Sequence, residues 1–247
     1  MRVVLEVSYI GTNYCGWQMQ DNKLTLQQVL QDAIENLTKE KVKVYASGRT
    51  DAGVHAICQV VHFDTSSHIK AEKFAFALNP LLPEDFKVIK SYGVSDDFNA
   101  RFDVKKKTYI YKFYVCKVEL PLCKNREYQV GFQFDKEKAK ECANLFVRTF
   151  DFTPFCKVAK EEKDRVRTIY NCELIELEDE HFEIKVVGNG FLHNMVRIIA
   201  GTIIDVGIGR LDLNKLKKGF ETNSITRAET GRTLPPYGLY LKKVEYI

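Results

Sequence analysis

The chain has 247 residues, room for one large domain or two of about 120 residues each. Its 45% hydrophobic and 28% charged residues are the ordinary balance of a soluble globular protein, with a formal net charge of +4. Seven cysteines, an odd number with no Cys-x-x-Cys pair, exclude a disulfide framework and a structural zinc site and fit a reducing cytoplasm.

The N-terminus runs straight into an alternating strand over 2–9, with Val3, Leu5, Val7 and Tyr9 on one face, so no signal peptide is expected. Helical spacing follows over 25–38 at Leu26, Leu30, Ala33, Ile34 and Leu37, and Thr25 with Gln28 predicts a capping box at its start. Strands are expected at Val42–Tyr45 and Ile57–Phe63. A helix over Lys70–Leu78, stopped by Pro80 and Pro83, and a strand over Phe86–Tyr92 complete a β-α-β-β-α-β half.

The second half repeats that order. Tyr109, Tyr111, Phe113 and Val115 share one face of a strand, and Asp135 caps a helix running to about Val147. Strands near 168–177 and 181–187 flank the short turn Glu178-Asp-Glu180. The longest apolar stretch, Phe191–Val206, carries His193, Asn194, Arg197 and Asp205. It is too short to span a bilayer, so a buried helix is expected over 191–206. A further helix after Asp212 and a last strand over Leu239–Glu245 close the chain. The expectation is an α+β fold of two ferredoxin-like halves, 1–104 and 105–247, with mainly antiparallel sheets able to join edge to edge around a central cleft. The duplication rests on element order alone.

Charge is unevenly spread. Basic residues gather at Arg101–Lys112, Lys157–Arg167 and Lys215–Lys218, acidic ones at Glu173–Glu183. Basic patches suit a polyanion, because neutralising phosphates releases counterions. Each run also reads as a plain solvated face.

The segment 46–56, Ala-Ser-Gly-Arg-Thr-Asp-Ala-Gly-Val-His-Ala, sets Asp51 between Arg49 and Gly53. Gly48 and Gly53 let the backbone turn on both sides. Such a loop holds an acid at a tip with a cation beside it, which is how a chain presents a nucleophile or a base. The plainer reading is a turn aspartate bonded to its own backbone. His55 follows four residues on, but one His with one Asp is too few ligands for a metal site, and no metal is expected.

Arg49-Thr-Asp-Ala-Gly-Val-His55 resembles the signature of the tRNA pseudouridine synthase A family. So do Tyr9–Gln18, Gln59–Phe63, Ala77–Pro83, Phe98–Arg101, Lys107–Tyr111, Gly188–Arg197 and Pro235–Tyr240, eight blocks in family order along the whole chain. The resemblance implies a homodimeric enzyme with a cleft for tRNA between its halves, needing no cofactor and no membrane. Its chemistry would turn uridine into pseudouridine at positions 38, 39 and 40 of the anticodon stem-loop.

By resemblance, Asp51 is the catalytic aspartate, acting as nucleophile or base. Arg197 stands at the family's basic position, and in an apolar helix an unpaired guanidinium is costly. It therefore pairs either with Asp51 or with a structural acid such as Asp205. Tyr109 matches the family tyrosine that stacks on the flipped uracil, although its strand face also reads as core. Arg49 matches the residue that helps extrude the nucleotide, and Arg101 is a phosphate contact. Two departures stand out: Lys107 replaces an arginine, losing its planar fork, and Asn99 replaces a histidine that would carry charge. His55 reads as structural or as an RNA contact. Two other classes of function remain open on these residues: an RNA-binding module without catalysis, and a metal-dependent hydrolase using Asp51 and His55.

Overall fold

The computed structural model describes residues 1–157 and 164–246. The chain divides into two compact units, Met1–Lys105 with Tyr240–Ile247, and Lys106–Leu239.

In the first unit, β1 (Arg2–Tyr9), α1 (Leu26–Thr38), β2 (Tyr45–Ala46), β3 (His55–Asp64), α2 (Phe74–Leu78) and β4 (Phe86–Val94) follow the expected β-α-β-β-α-β order. β1 lies between β3 and β4, antiparallel to both, with Val3 opposite Phe63 and Leu5 opposite Val61. β2 pairs with the far edge of β3, which gives the ferredoxin-like order 4-1-3-2. Alternation puts Val3, Leu5, Val61 and Phe63 on one face. There they are buried with Leu26, Leu30 and Ile34 of α1 and Phe74 and Leu78 of α2, and the Phe63 and Phe74 rings meet edge to face at 5.4 Å.

Three local expectations are corrected here. Thr25 is the N-cap of α1, but its buried hydroxyl meets no partner among the described residues, and Gln28 turns to Asp32, so no capping box forms. The strand at 42–45 shrinks to Tyr45–Ala46, because side chains of α1 take the Val44 backbone instead of a neighbouring strand. The Gln31 Oε1 accepts from its N–H at 3.1 Å and Gln27 Nε2 donates to its carbonyl at 3.1 Å. The helix expected over 70–78 ends at Leu78 as expected, with Pro80 inside a following 3-10 turn, Asn79–Leu81, but its α-helical part starts only at Phe74, after a 3-10 turn at Ala71–Lys73.

The second unit contains β5 (Lys106–Val115), β6 (Tyr128–Val130), α3 (Lys136–Asn144), β7 (Thr149–Asp151), β8 (Val166–Glu176), β9 (His181–Gly188), α4 (Met195–Gly207) and α5 (Leu213–Glu221). Its strands run β5-β9-β8-β7, all antiparallel, with the short β6 parallel to β5. The Asp135 and Asp212 carboxylates cap α3 and α5 by accepting first-turn N–H groups, as their sequences predict. Helix α3 stops at Asn144, short of Val147. Helix α4 starts at Met195 rather than 191, because Asn194 takes a left-handed φ of 63° and breaks the run. Every α4 residue except Arg197 is buried. The strands β6 and β7, three residues each, carried no periodic signal.

The last strand, β10 (Leu239–Glu245), ends the second β-α-β-β-α-β set in chain order. From Tyr240 onward it belongs to the first unit, where Tyr240 and Leu241 run parallel to His55 and Ala56 of β3. The expected 105–247 half is thus Lys106–Leu239, and its closing strand is built into the other unit. The basic run at Lys157–Arg167 lies partly outside the described residues.

Candidate active site

The Asp51 loop is fixed from three sides. Gln59 on β3 donates from Nε2 to the Gly48 carbonyl at 2.8 Å and accepts the Ser47 hydroxyl through Oε1. Thr50 turns inward to place its hydroxyl 2.9 Å from that of buried Tyr9, while its carbonyl accepts the Trp17 N–H at 3.0 Å. Gly53 adopts φ 78°, and the Val54 N–H donates to the Asp51 carbonyl at 3.1 Å, closing a tight turn. Gly16 (φ 88°) lies against this turn so closely that a Cβ there would sit 2.7 Å from the Thr50 oxygen. The sequence blocks at 9–18 and 49–55 are therefore one packed unit of structure. The result is an alternation: Thr50 faces in, while Arg49 is exposed and Asp51 is half-buried.

His55 resolves to the structural reading. It is 1% exposed, its Nδ1 accepts the Gly11 N–H at 2.9 Å, and its ring lies 4.6 Å from that of Tyr240. An Nδ1 lone pair engaged in this way is not offered to a metal beside Asp51. Arg101 is exposed on the loop after β4, with its guanidinium carbon 5.5 Å from the ring of Phe102, itself 76% exposed. Asn99, which departs from the family histidine, builds this loop: its Oδ1 accepts the N–H groups of Arg101 and Phe102 at 2.9 and 3.3 Å.

In the second unit, Tyr109 is 8% exposed, opposite Val186 on β9, with its ring edge-on to Phe191 at 5.2 Å. Tyr111 and Phe113 on the same face are fully buried, so that stripe is core with Tyr109 at its margin. Arg197 is half-buried. Its Nε donates to the Leu234 carbonyl at 2.7 Å and its Nη1 to Asn194 Oδ1 at 2.9 Å. Asp205 is not its partner, since that carboxylate accepts Arg232 Nη2 at 2.7 Å and Nε at 3.0 Å.

A family described as tRNA pseudouridine synthase matches residues 6–103 and 142–247, which include Arg49, Asp51, Arg101 and Arg197. The chain belongs to the tRNA pseudouridine synthase family. It is 43% identical over 244 residues to tRNA pseudouridine synthase A of Caldicellulosiruptor saccharolyticus, covering 99% of both chains. The proteins of that name from Bacillus licheniformis and Bacillus subtilis are 42% and 41% identical over 248 residues, covering 100% of this chain and 99% of theirs. The blocks recognised in the sequence thus mark a synthase along its whole length.

Within this synthase, one group of three metal-ligand side chains stands together among the described residues: Cys123, Glu127 and His181, in the second unit. Glu127 and His181 satisfy one another at 2.7 Å. Burial, and then the Glu127 charge, push the Cys123 thiol up, so it keeps its proton. No helix among the described residues is long and apolar enough to cross a membrane. Sequence reading missed Asn194 and the Leu234 carbonyl as holders of Arg197. A backbone acceptor leaves no mark in a sequence, whereas Asn194, suited to the left-handed region, was a usable signal.

Proposed function

We propose that this synthase isomerises uridine to pseudouridine in the anticodon stem-loop of tRNA, at positions 38, 39 and 40. The bond between uracil N1 and ribose C1′ breaks, the base turns over, and C5 bonds to C1′. The C5 proton leaves to solvent and N1 gains one. No electrons are exchanged, so the reaction needs no cofactor. Asp51 acts as nucleophile or base toward the nucleotide. Arg197 supplies the cation of an ion pair with Asp51. Tyr109 offers its ring to the flipped uracil, Arg49 helps to hold the nucleotide out, and Arg101 contacts phosphate. The enzyme works in the cytoplasm as a homodimer, with tRNA as its substrate.

The Asp51 loop carries this reading. It holds the family signature, and it is also the segment that Gln59, Trp17 and Gly16 fasten, with an arginine exposed beside a half-buried carboxylate. The test uses unmodified tRNA bearing tritium at uridine C5, without added metal or cofactor. Wild type should release tritium to water, and Asp51→Asn should release none while binding tRNA within a few-fold of wild type. Bound tRNA with no release by wild type would favour the non-catalytic RNA-binding module. Equal loss of binding and release in Asp51→Asn would make Asp51 structural.

A further inference from the structure

Arg197 is steered by a stretch of chain that has no place in the reaction described so far. After α5 the backbone returns along α4, passing Thr202 and ending at Arg197. It lies unusually close to the helix: a Cβ on Gly201 would sit 1.9 Å from the Arg232 carbonyl oxygen, and one on Gly231 only 2.3 Å from the Thr202 nitrogen. Two glycines facing one another are what allow backbone to rest on backbone there.

This strap is fastened at both ends. At one end the Gly231 N–H donates to Thr202 Oγ1 at 2.9 Å, and the Arg232 N–H donates to Asp205 Oδ2 at 3.1 Å. The Arg232 guanidinium closes on the same carboxylate from Nε and Nη2. Asp205 is 1% exposed, and these donors repay the loss of its hydration. At the other end the buried Tyr111 hydroxyl donates to the Pro235 carbonyl at 2.9 Å. Between these fastenings lies Leu234. Its carbonyl accepts Arg197 Nε at 2.7 Å, and its N–H donates back to the Arg197 carbonyl at 3.4 Å. With Asn194 Oδ1 on Nη1, two fixed acceptors set the plane of the Arg197 guanidinium.

We propose that Arg232 and Asp205 are positioning residues for catalysis: the ion pair between partly exposed Arg232 and buried Asp205 pins the 230–235 strap, and the strap's Leu234 carbonyl holds the Arg197 guanidinium in its working orientation. This rests on the catalytic reading of Arg197 given above.

The test replaces both charges together, Asp205→Leu with Arg232→Met. Removing Arg232 alone would strand the buried Asp205 charge, so both charges are removed together. Folding is followed by circular dichroism and thermal melting, and turnover by tritium release. The double variant should fold, keep KM for tRNA within about threefold, and lose kcat by roughly ten- to a hundredfold, the scale of a misplaced catalytic group. Arg232→Lys, which keeps the charge but not the two-pronged grip, should recover part of that loss. A folded double variant with wild-type kcat overturns the proposal. If the double variant fails to fold, Thr202→Val decides instead. It removes the Gly231 fastening together with the hydroxyl's own bond to the Ile198 carbonyl within α4, should lower kcat without raising KM, and overturns the proposal if kcat is unchanged. Arg197→Met separates the two levels of the argument. Full turnover in that variant removes the catalytic reading of Arg197 itself, whereas its loss beside a fully active double variant sinks only the strap.

Discussion

Gly16→Ala strikes the Asp51 loop without altering any residue in it. Gly16 sits at φ 88°, where an L side chain costs about 1–2 kcal/mol. The new Cβ would lie 2.7 Å from the Thr50 oxygen, 0.7 Å inside the 3.4 Å at which ordinary contact begins, and 3.1 Å from the Ala52 nitrogen. Both neighbours are backbone of the turn that carries Asp51, so the turn itself must move. Overpacking of this kind adds roughly 1–3 kcal/mol, for a total near 2–5 kcal/mol. Gly209→Ala is the control. Its φ is 73°, and nothing lies within 4 Å of the added Cβ, so it bears the backbone cost alone. At about 2–4 °C per kcal/mol for a chain of this size, Gly209→Ala should melt some 2–8 °C below wild type and Gly16→Ala some 4–20 °C below. In tritium release measured well below either melting point, Gly209→Ala should match wild type. Gly16→Ala should lose one to two orders of magnitude in kcat, because a shift approaching 1 Å at a reacting group is worth about a hundredfold. If Gly16→Ala melts with Gly209→Ala and turns over like wild type, the loop is not fixed by this contact.

Three further outcomes are expected. The affinity for tRNA should fall steeply with salt, and Arg101→Ala should weaken binding while flattening the log–log salt slope by about one unit; a wild-type affinity that ignores salt would count against phosphate contacts. His55→Phe should cost about 1–3 kcal/mol by stranding the Gly11 N–H, yet leave tRNA affinity of the folded protein unchanged; a tRNA affinity that drops with no loss of stability would restore His55 as an RNA contact. Burial pushes the Cys142 and Cys172 thiols well above their ordinary range. Their contribution is therefore complete below the unfolded thiol pKa of about 8.5 and is lost as pH rises beyond it, because the unfolded chain then releases protons that the folded one keeps. Urea midpoints should fall between pH 8 and 10, and Cys142→Ala should make that decline shallower by about 1.4 kcal/mol per pH unit.

Strands that alternate and helices that open on Asp were legible because each signal is local. β1, β3 and β9 needed only their own residues, and Asp135 and Asp212 announced α3 and α5. What escaped depended on partners distant in sequence. Val44 looks like strand, but Gln27 and Gln31 of α1 occupy its backbone. Thr25 and Gln28 have capping-box spacing, yet Gln28 finds Asp32. The site divides the same way. The Asp51 loop could be read because glycines and a lone acid are conspicuous. That Asp205, the alternative acid partner of Arg197, belongs to Arg232 could not, since Arg232 lies 27 residues away along the chain and only packing brings it to Asp205.

The placement of β10 governs when the enzyme can be finished. The Tyr240 ring lies against His55, at the foot of the Asp51 loop, and Leu241 aligns beside Ala56. On a ribosome, α1, α2 and β1 to β4 emerge early and can collapse as a local unit, but the edge of β3 beside the Asp51 loop waits until the whole of Lys106–Leu239 and then β10 have been made. An incomplete nascent chain would therefore hold the signature sequence without its finished support. Maturation of the first unit is thus tied to synthesis of the second, which gives β10 a part in timing as well as in architecture.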